Sequence, residues 1–153
     1  MNLNTEILQK KFGKNLIFQE NLSKYSWFNL GGPADIFFRP ENVYQLKEFL
    51  SEIKDKKYKL NILGAGSNTL IRDPGIKGVV IKLSSNFSYT KLIGQNIIEV
   101  GAATLDRKVS EFAKNNNISL MEFLSCIPGS IGGAIVMNSG CYGSDISKIL
   151  LSI

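Results

Sequence analysis

Ile127-Pro128-Gly129-Ser130-Ile131-Gly132-Gly133-Ala134-Ile135-Val136-Met137-Asn138-Ser139-Gly140-Cys141-Tyr142-Gly143 is the stretch on which the reading of this chain turns. Pro128 and Gly129 form a turn, Ser130 is placed to cap, and the run that follows can open a helix with its unsatisfied N–H groups facing outward. Such an end carries about half a positive charge, which suits a pyrophosphate. Gly132 and Gly133 each cost about 1 kcal/mol in a helix relative to alanine, so something must approach them closely. Either a ligand or the backbone of a neighbouring element would satisfy that requirement.

A second glycine-rich segment, Leu63-Gly64-Ala65-Gly66-Ser67-Asn68-Thr69, follows directly on the strand-like Lys59-Leu60-Asn61-Ile62-Leu63. The dinucleotide fingerprint G-x-G-x-x-G fails here, because its sixth position is Thr69 and no acid follows near residue 84 to hold a ribose. A Walker loop fails too, for want of Gly-Lys-Ser/Thr. What remains is a strand-to-loop turn with polar tips or, alternatively, a phosphate cradle. In a cradle the glycines let backbone N–H groups reach an anion, and Ser67 and Asn68 add donors. Two phosphate-capable loops in one small chain point to a dinucleotide held between them.

The rest of the composition narrows the chemistry. The chain has 153 residues, 44% of them apolar, enough for one ordinary core. It has 18 basic and 13 acidic residues, a net +5 that tolerates anionic partners without naming one. Histidine is absent, which excludes Ser-His-Asp and Cys-His nucleophiles, an imidazole base and His-ligated metal. A cofactor bringing its own redox chemistry fits such a chain best. Cys126 and Cys141 lie in no C-x-x-C motif and read as two buried free thiols in a reducing cytoplasm. No apolar run approaches the roughly 18 to 20 residues of a membrane helix, and Met1 to Lys14 lacks the core of an export signal.

Periodicity predicts a short helix over Thr5–Phe12 stopped by Gly13, a strand over Ala34–Arg39, and an amphipathic helix over Glu41–Lys54. Strands follow over Lys59–Leu63, Val79–Leu83 and Ile97–Val100, then a helix over Leu105–Lys114 capped by Thr104. The basic run Lys54-Asp55-Lys56-Lys57-Tyr58-Lys59 reads as a solvated helix end. This order gives an α+β or mixed α/β fold rather than a bundle or sandwich. Lys148 to Ile153 has strand-like character with no polar tail, and is expected to be either a terminal strand or the cut edge of a longer protein.

The segments Trp27-Phe28-Asn29-Leu30-Gly31-Gly32-Pro33-Ala34-Asp35, Gly64 to Asn68 with Ile71-Arg72-Asp73 and Gly78 to Ile81, and Ile127 to Gly143 occur in order. Together they resemble the UDP-N-acetylenolpyruvoylglucosamine reductases, flavin enzymes that make UDP-N-acetylmuramate for peptidoglycan. The resemblance runs from about Leu22 to Asp145. It implies a two-lobed FAD-binding fold of the vanillyl-alcohol-oxidase/PCMH type, truncated before the substrate-binding domain. The expected divisions are an N-terminal lead-in over 1–20, a first lobe over 21–83 and an incomplete second lobe over 84–153.

The same resemblance implies that Gly64, Ala65, Gly66, Ser67 and Asn68, with Pro128, Gly129, Ser130, Ile131, Gly132, Gly133 and Ala134, line the FAD pyrophosphate. Asn138 and Tyr142 would lie by the flavin or the substrate. FAD would be non-covalent, since relatives that attach it do so through histidine, and NADPH would be the reductant. The nucleotide-sugar contacts, the family's Tyr-Arg arginine, its proton-donating serine and its late glutamate fall beyond Ile153, so no catalytic residue is expected here and the fragment alone should not turn over. Ser139 and Cys141 replace the family's usual alanines, small for small. The competing readings are a self-sufficient or non-catalytic flavin-binding protein and, from charge alone, a nucleic-acid module. Replacing Gly66 or Gly132 by valine is expected to abolish FAD binding more than it lowers stability.

Overall fold

The computed structural model describes residues 5–56 and 58–153; residues 1–4 of the stretch read for an export signal, and Lys57 of the basic run, lie outside them. The chain forms two units, one up to Ser84 and one over Ser85–Ile153.

The first unit is built on a four-stranded mixed sheet. Helix α1 (Thr5–Phe12) ends at Gly13, whose φ of +54° stops it, and leads into β1 (Leu16–Asn21). β1 runs antiparallel to β2 (Pro33–Phe38), with Leu16 opposite Phe38 and Glu20 opposite Ala34. Helix α2 (Val43–Ile53) follows, its N-cap Asn42 accepting the Gln45 N–H at 2.8 Å. β3 (Leu60–Ile62) then takes the sheet edge and β4 (Ile76–Ile81) inserts between β2 and β3, parallel to both, giving the order β1-β2-β4-β3.

Alternation along β2 and β4 divides the apolar side chains between two faces. Ile36, Phe38, Val79 and Ile81 join Leu8, Phe12, Leu16, Phe49 and Ile53 under the helices. Phe37 and Val80 face the other way, with Leu22, Leu63 and Ile71. Ala34 also packs with this second group; between Ala34 and Ile36 the pairing with β4 slips, two residues of β2 spanning three of β4. Three rings, Phe12, Phe38 and Phe49, close the helix side, with Phe38 and Phe49 stacked at 3.9 Å.

The second unit carries two hairpins and two helices. β5 (Thr90–Leu92) pairs antiparallel with β6 (Ile98–Val100), and α3 (Asp106–Asn115) follows. After a 3-10 turn over Glu122–Cys126 comes α4 (Ile131–Met137), then the hairpin of β7 (Gly140–Cys141) and β8 (Ser144–Asp145). Tyr142 and Gly143 sit between paired Cys141 and Ser144 with φ of +52° and +76°, the two left-handed residues of a type I′ turn. Val109, Phe123, Leu124, Ile131, Ala134 and Ile146 form this unit's core.

Several sequence expectations are corrected. Thr104 does not cap α3. Leu105 holds the N-cap position without a side-chain bond, while the Thr104 hydroxyl bonds the Tyr89 backbone at 3.0 Å, tying α3's entry to the β5 hairpin. Ser130 is the N-cap of α4 by position, but its hydroxyl makes no cap bond. Cys126 is exposed and Cys141 half-buried, so the thiols are free without being buried; Cys126 ends a surface 3-10 turn rather than facing the core. Residues 149–153 form no strand: the chain makes a 3-10 turn over Ile146–Lys148, anchored by the Asp145 side chain, and then has no partner strand within the described residues.

Candidate functional site

Each glycine-rich segment sits where its own unit fixes it. In the first unit, Leu63 N–H donates to Ile81 O at 2.9 Å, and the chain then leaves the sheet into Gly64–Asn68. The segment containing Trp27 to Pro33 braces this loop from outside. Trp27 N–H donates to Gly66 O at 3.1 Å, the Ser26 hydroxyl to Thr69 O at 3.3 Å, and Gly32 N–H to Arg72 O at 3.1 Å. A Cβ on Gly66 would stand 1.9 Å from Tyr25 O, and Gly66 has a φ of +79°. So Gly66 is glycine because the Tyr25 backbone lies against it, and a side chain there breaks the loop before it blocks a ligand. The expectation that Gly66→Val acts mainly on binding is corrected accordingly.

The consequence for the loop's amides is direct. Among the described residues, none of the backbone N–H groups of Gly64, Ala65, Gly66, Ser67 and Asn68 makes a hydrogen bond to a protein acceptor. Five consecutive amides without a protein acceptor, beside a left-handed glycine and with Ser67 half-buried and Asn68 exposed, leave donors available to an anion. A tight turn with polar tips would close some of those amides on itself, and here the Gly66 carbonyl is spent on Trp27 instead.

In the second unit, Leu105 and Ser130 bridge antiparallel, and the amides on either side are used by the protein. Asp106 N–H donates to Gly129 O at 3.2 Å and Ile131 N–H to Thr104 O at 2.9 Å. Gly132 N–H donates to Ala102 O at 2.9 Å, and a Cβ on Gly132 would lie 3.0 Å from that oxygen. Gly132 is therefore glycine for close backbone packing, and the valine expectation is corrected here as well. Gly133 differs. A Cβ there would meet only the Ser130 hydroxyl, at 3.6 Å, and neither the Gly133 nor the Ser130 N–H donates to the protein among the described residues. Of the pair, Gly133 alone has no reason inside the unit to lack a side chain.

Of the remaining expected site residues, Pro128 is exposed, and Ile131 and Ala134 are buried in the unit's own core. Asn138, with φ of +44°, ends α4 and accepts the Ser147 N–H at 2.9 Å, while Tyr142 is 88% exposed at the hairpin tip. Sequence reasoning misses Asp106. It is fully buried at the start of α3, and its Oδ2 occupies the space a Cβ on Gly129 would take, 2.4 Å from it. Neither carboxyl oxygen has a well-formed hydrogen bond. Burial pushes the group from its usual 3.8 up to about 6, with the Gly129 N–H offsetting only part of the rise.

That raised pKa has a stability consequence. The folded state holds the Asp106 proton more tightly than the unfolded chain, so its contribution is fully present below the usual 3.8 and is lost as pH rises through about 6. The loss is at most about 3 kcal/mol, since a tenfold change in proton affinity corresponds to about 1.4 kcal/mol. Asp106→Asn removes the titration, so its urea midpoint should stay flat between pH 5 and pH 8 and exceed the parent's at pH 8. A parent midpoint independent of pH over that range would contradict the burial argument.

A family model described as an FAD binding domain matches residues 34–153. A curated UDP-N-acetylenolpyruvoylglucosamine reductase of Pelagibacter ubique is 48% identical over 136 residues, 89% of this chain and 45% of that protein. One from Caulobacter sp. strain K31 is 41% identical over 90% of this chain and 44% of its own length. The chain thus spans less than half the length of the curated relatives it matches. Among solved structures, the UDP-N-acetylenolpyruvylglucosamine reductase of Thermus caldophilus superposes with a TM-score of 0.67 at 31% identity, covering 85% of this chain and 44% of that one. An alkyldihydroxyacetonephosphate synthase shares the fold alone, with a TM-score of 0.64 at 12% identity over 97% of this chain and 35% of its own.

Proposed function

Because the chain belongs to the FAD-binding domain family, we propose that it holds FAD without a covalent bond and serves as the flavin-carrying portion of a reductase. That reductase would convert UDP-N-acetylglucosamine enolpyruvate to UDP-N-acetylmuramate in peptidoglycan synthesis, with NADPH as reductant, in the cytoplasm. The observation that carries the reading is the run of five free amides over Gly64–Asn68, an anion-binding surface made of backbone alone.

The residues fit the cofactor. Gly64, Ala65, Gly66, Ser67 and Asn68 would take one part of the pyrophosphate through backbone N–H groups and the Ser67 and Asn68 side chains. In the second unit Gly129, Ser130 and Gly133 would contribute, with Pro128 setting the turn and Ile131, Gly132 and Ala134 holding it to the core. Asn138 and Tyr142 would border the flavin or the nucleotide sugar. None of the 153 residues is a histidine, so this chain itself offers no histidyl linkage. Bound FAD supplies hydride transfer; the chain's own part is to bind and orient it. Among the described residues no helix is long and apolar enough to cross a membrane.

The test is to purify the chain, measure its flavin content, and follow NADPH oxidation with the enolpyruvyl nucleotide sugar. Retained FAD without turnover is the expected result. Turnover by the chain alone would overturn the assignment of catalysis to residues beyond it. A folded chain that binds nucleic acid and no flavin would overturn the reading altogether.

A further inference from the structure

Strand alternation along β4 sends Val79 and Ile81 to the helix side and Val80 to the other. Lys82 continues on the Val80 side, just past the strand end, with its own N–H fixed to Phe38 O at 3.0 Å. There its ammonium donates to the carbonyl oxygen of Gly64, the first residue of the free-amide loop. One acceptor leaves two of its three N–H bonds unused.

The charge around it is also incomplete. Lys82 is half-buried, yet it appears in none of the ion pairs among the described residues, which join Lys11 to Glu48 and Glu52, Lys14 to Glu41, Lys24 to Glu20 and Arg107 to Glu111. The charged group it senses is another cation, Arg39; burial and that neighbour both lower its pKa. Two residues on, Ser84 is only 8% exposed and its hydroxyl has no hydrogen-bond partner. A partly desolvated cation with no carboxylate partner, beside a cation and five free amides, is a place where a bound anion would be stabilised.

Resting on the FAD reading above, we propose that Lys82 is a phosphate-binding residue of this chain: its ammonium, steered by the Gly64 carbonyl, supplies the positive charge that the backbone loop lacks and contacts the diphosphate of the bound nucleotide. No reaction step is assigned to it.

The test compares FAD, ADP and riboflavin binding to the parent chain, Lys82→Met, Lys82→Gln and Lys82→Arg by titration, with urea midpoints measured alongside. In the parent, FAD and ADP should bind and riboflavin should not compete with them. Lys82→Met should weaken both FAD and ADP at least tenfold, flatten the salt dependence of binding, and leave the urea midpoint unchanged or higher. Lys82→Arg should recover most of the affinity. Lys82→Gln keeps a donor for Gly64 without the charge, so it should bind like Lys82→Met; it also decides the matter if Lys82→Met fails to fold. Folded Lys82→Met or Lys82→Gln binding FAD within twofold of the parent would overturn the Lys82 assignment while leaving the FAD reading intact. A parent chain that binds neither FAD nor ADP would overturn both.

Discussion

Gly66→Ala should cost the first unit at least about 3 kcal/mol and take FAD binding with it. Two effects add. An alanine held at a φ of +79° is disfavoured by about 1–2 kcal/mol. Its Cβ would also stand 1.9 Å from Tyr25 O, an atom of the backbone that cannot rotate away. The Tyr25–Trp27 segment must shift, and with it the Trp27 N–H bond to Gly66 O. The Gly64–Asn68 amides are displaced with it, so FAD affinity should fall at least 100-fold, about 2.8 kcal/mol. Urea unfolding and FAD titration read the two effects separately. Gly133→Ala is the contrasting variant. It should raise stability by about 0.5–1 kcal/mol through helix propensity, because its Cβ meets nothing closer than 3.6 Å. It should still weaken FAD about tenfold. A Gly66→Ala chain with parental stability would contradict the packing against Tyr25, and a Gly133→Ala chain with parental affinity would remove Gly133 from the cofactor contacts.

Phe49→Ala should be nearly as damaging to stability and far less so to binding. Phe49 is fully buried, stacked on Phe38 at 3.9 Å and edge-on to Phe12 at 5.4 Å. Removing it leaves a cavity between α2 and the sheet, at a cost of about 3–5 kcal/mol. Part of that is the ring pairing itself, about 0.5–1.5 kcal/mol beyond burial. Since native domains hold only about 5–15 kcal/mol, much of the first unit's margin would go. The Phe49 cluster lies on one face of the sheet, whereas Leu63, which launches the Gly64 loop, lies on the other. FAD affinity, corrected for the folded fraction, should therefore stay within about twofold. A urea midpoint equal to the parent's would mean that α2 is not seated on this core.

Periodic apolar faces make much of the fold legible. The Val43, Leu46, Phe49, Leu50 and Ile53 spacing marks α2, and Gly13 marks the end of α1, because both signals are local. β1 escapes such reading: Leu16-Ile17-Phe18 is a short apolar run that becomes a strand only by pairing with β2, a non-local cause. β5 escapes it for the same reason, although the Gly94-Gln95-Asn96 turn before Ile97 is a usable hairpin signal.

At the site, the glycine loops are legible as glycine loops, but the reason for each glycine is not. Gly66 and Gly132 answer to Tyr25 and Ala102, residues distant in sequence whose approach no local pattern announces. Gly133 has no such neighbour, since a Cβ there would meet only the Ser130 hydroxyl at 3.6 Å. Lys82 can be found from strand alternation, as a lysine following Val80 on an apolar face. Asp106 carries a weaker signal, an acid in a helix's first turn, where exposure is the ordinary expectation and burial is the exception.

On the reading proposed above, the Gly64–Asn68 amides, with the charge of Lys82 beside them, hold FAD by its diphosphate. Titrating the folded chain with FAD and with riboflavin, and displacing FAD by ADP, tests it most directly. FAD bound one to one, competed off by ADP, with riboflavin at least 100-fold weaker, is the predicted result. Riboflavin binding as tightly as FAD, or a folded chain indifferent to FAD and ADP alike, would contradict it.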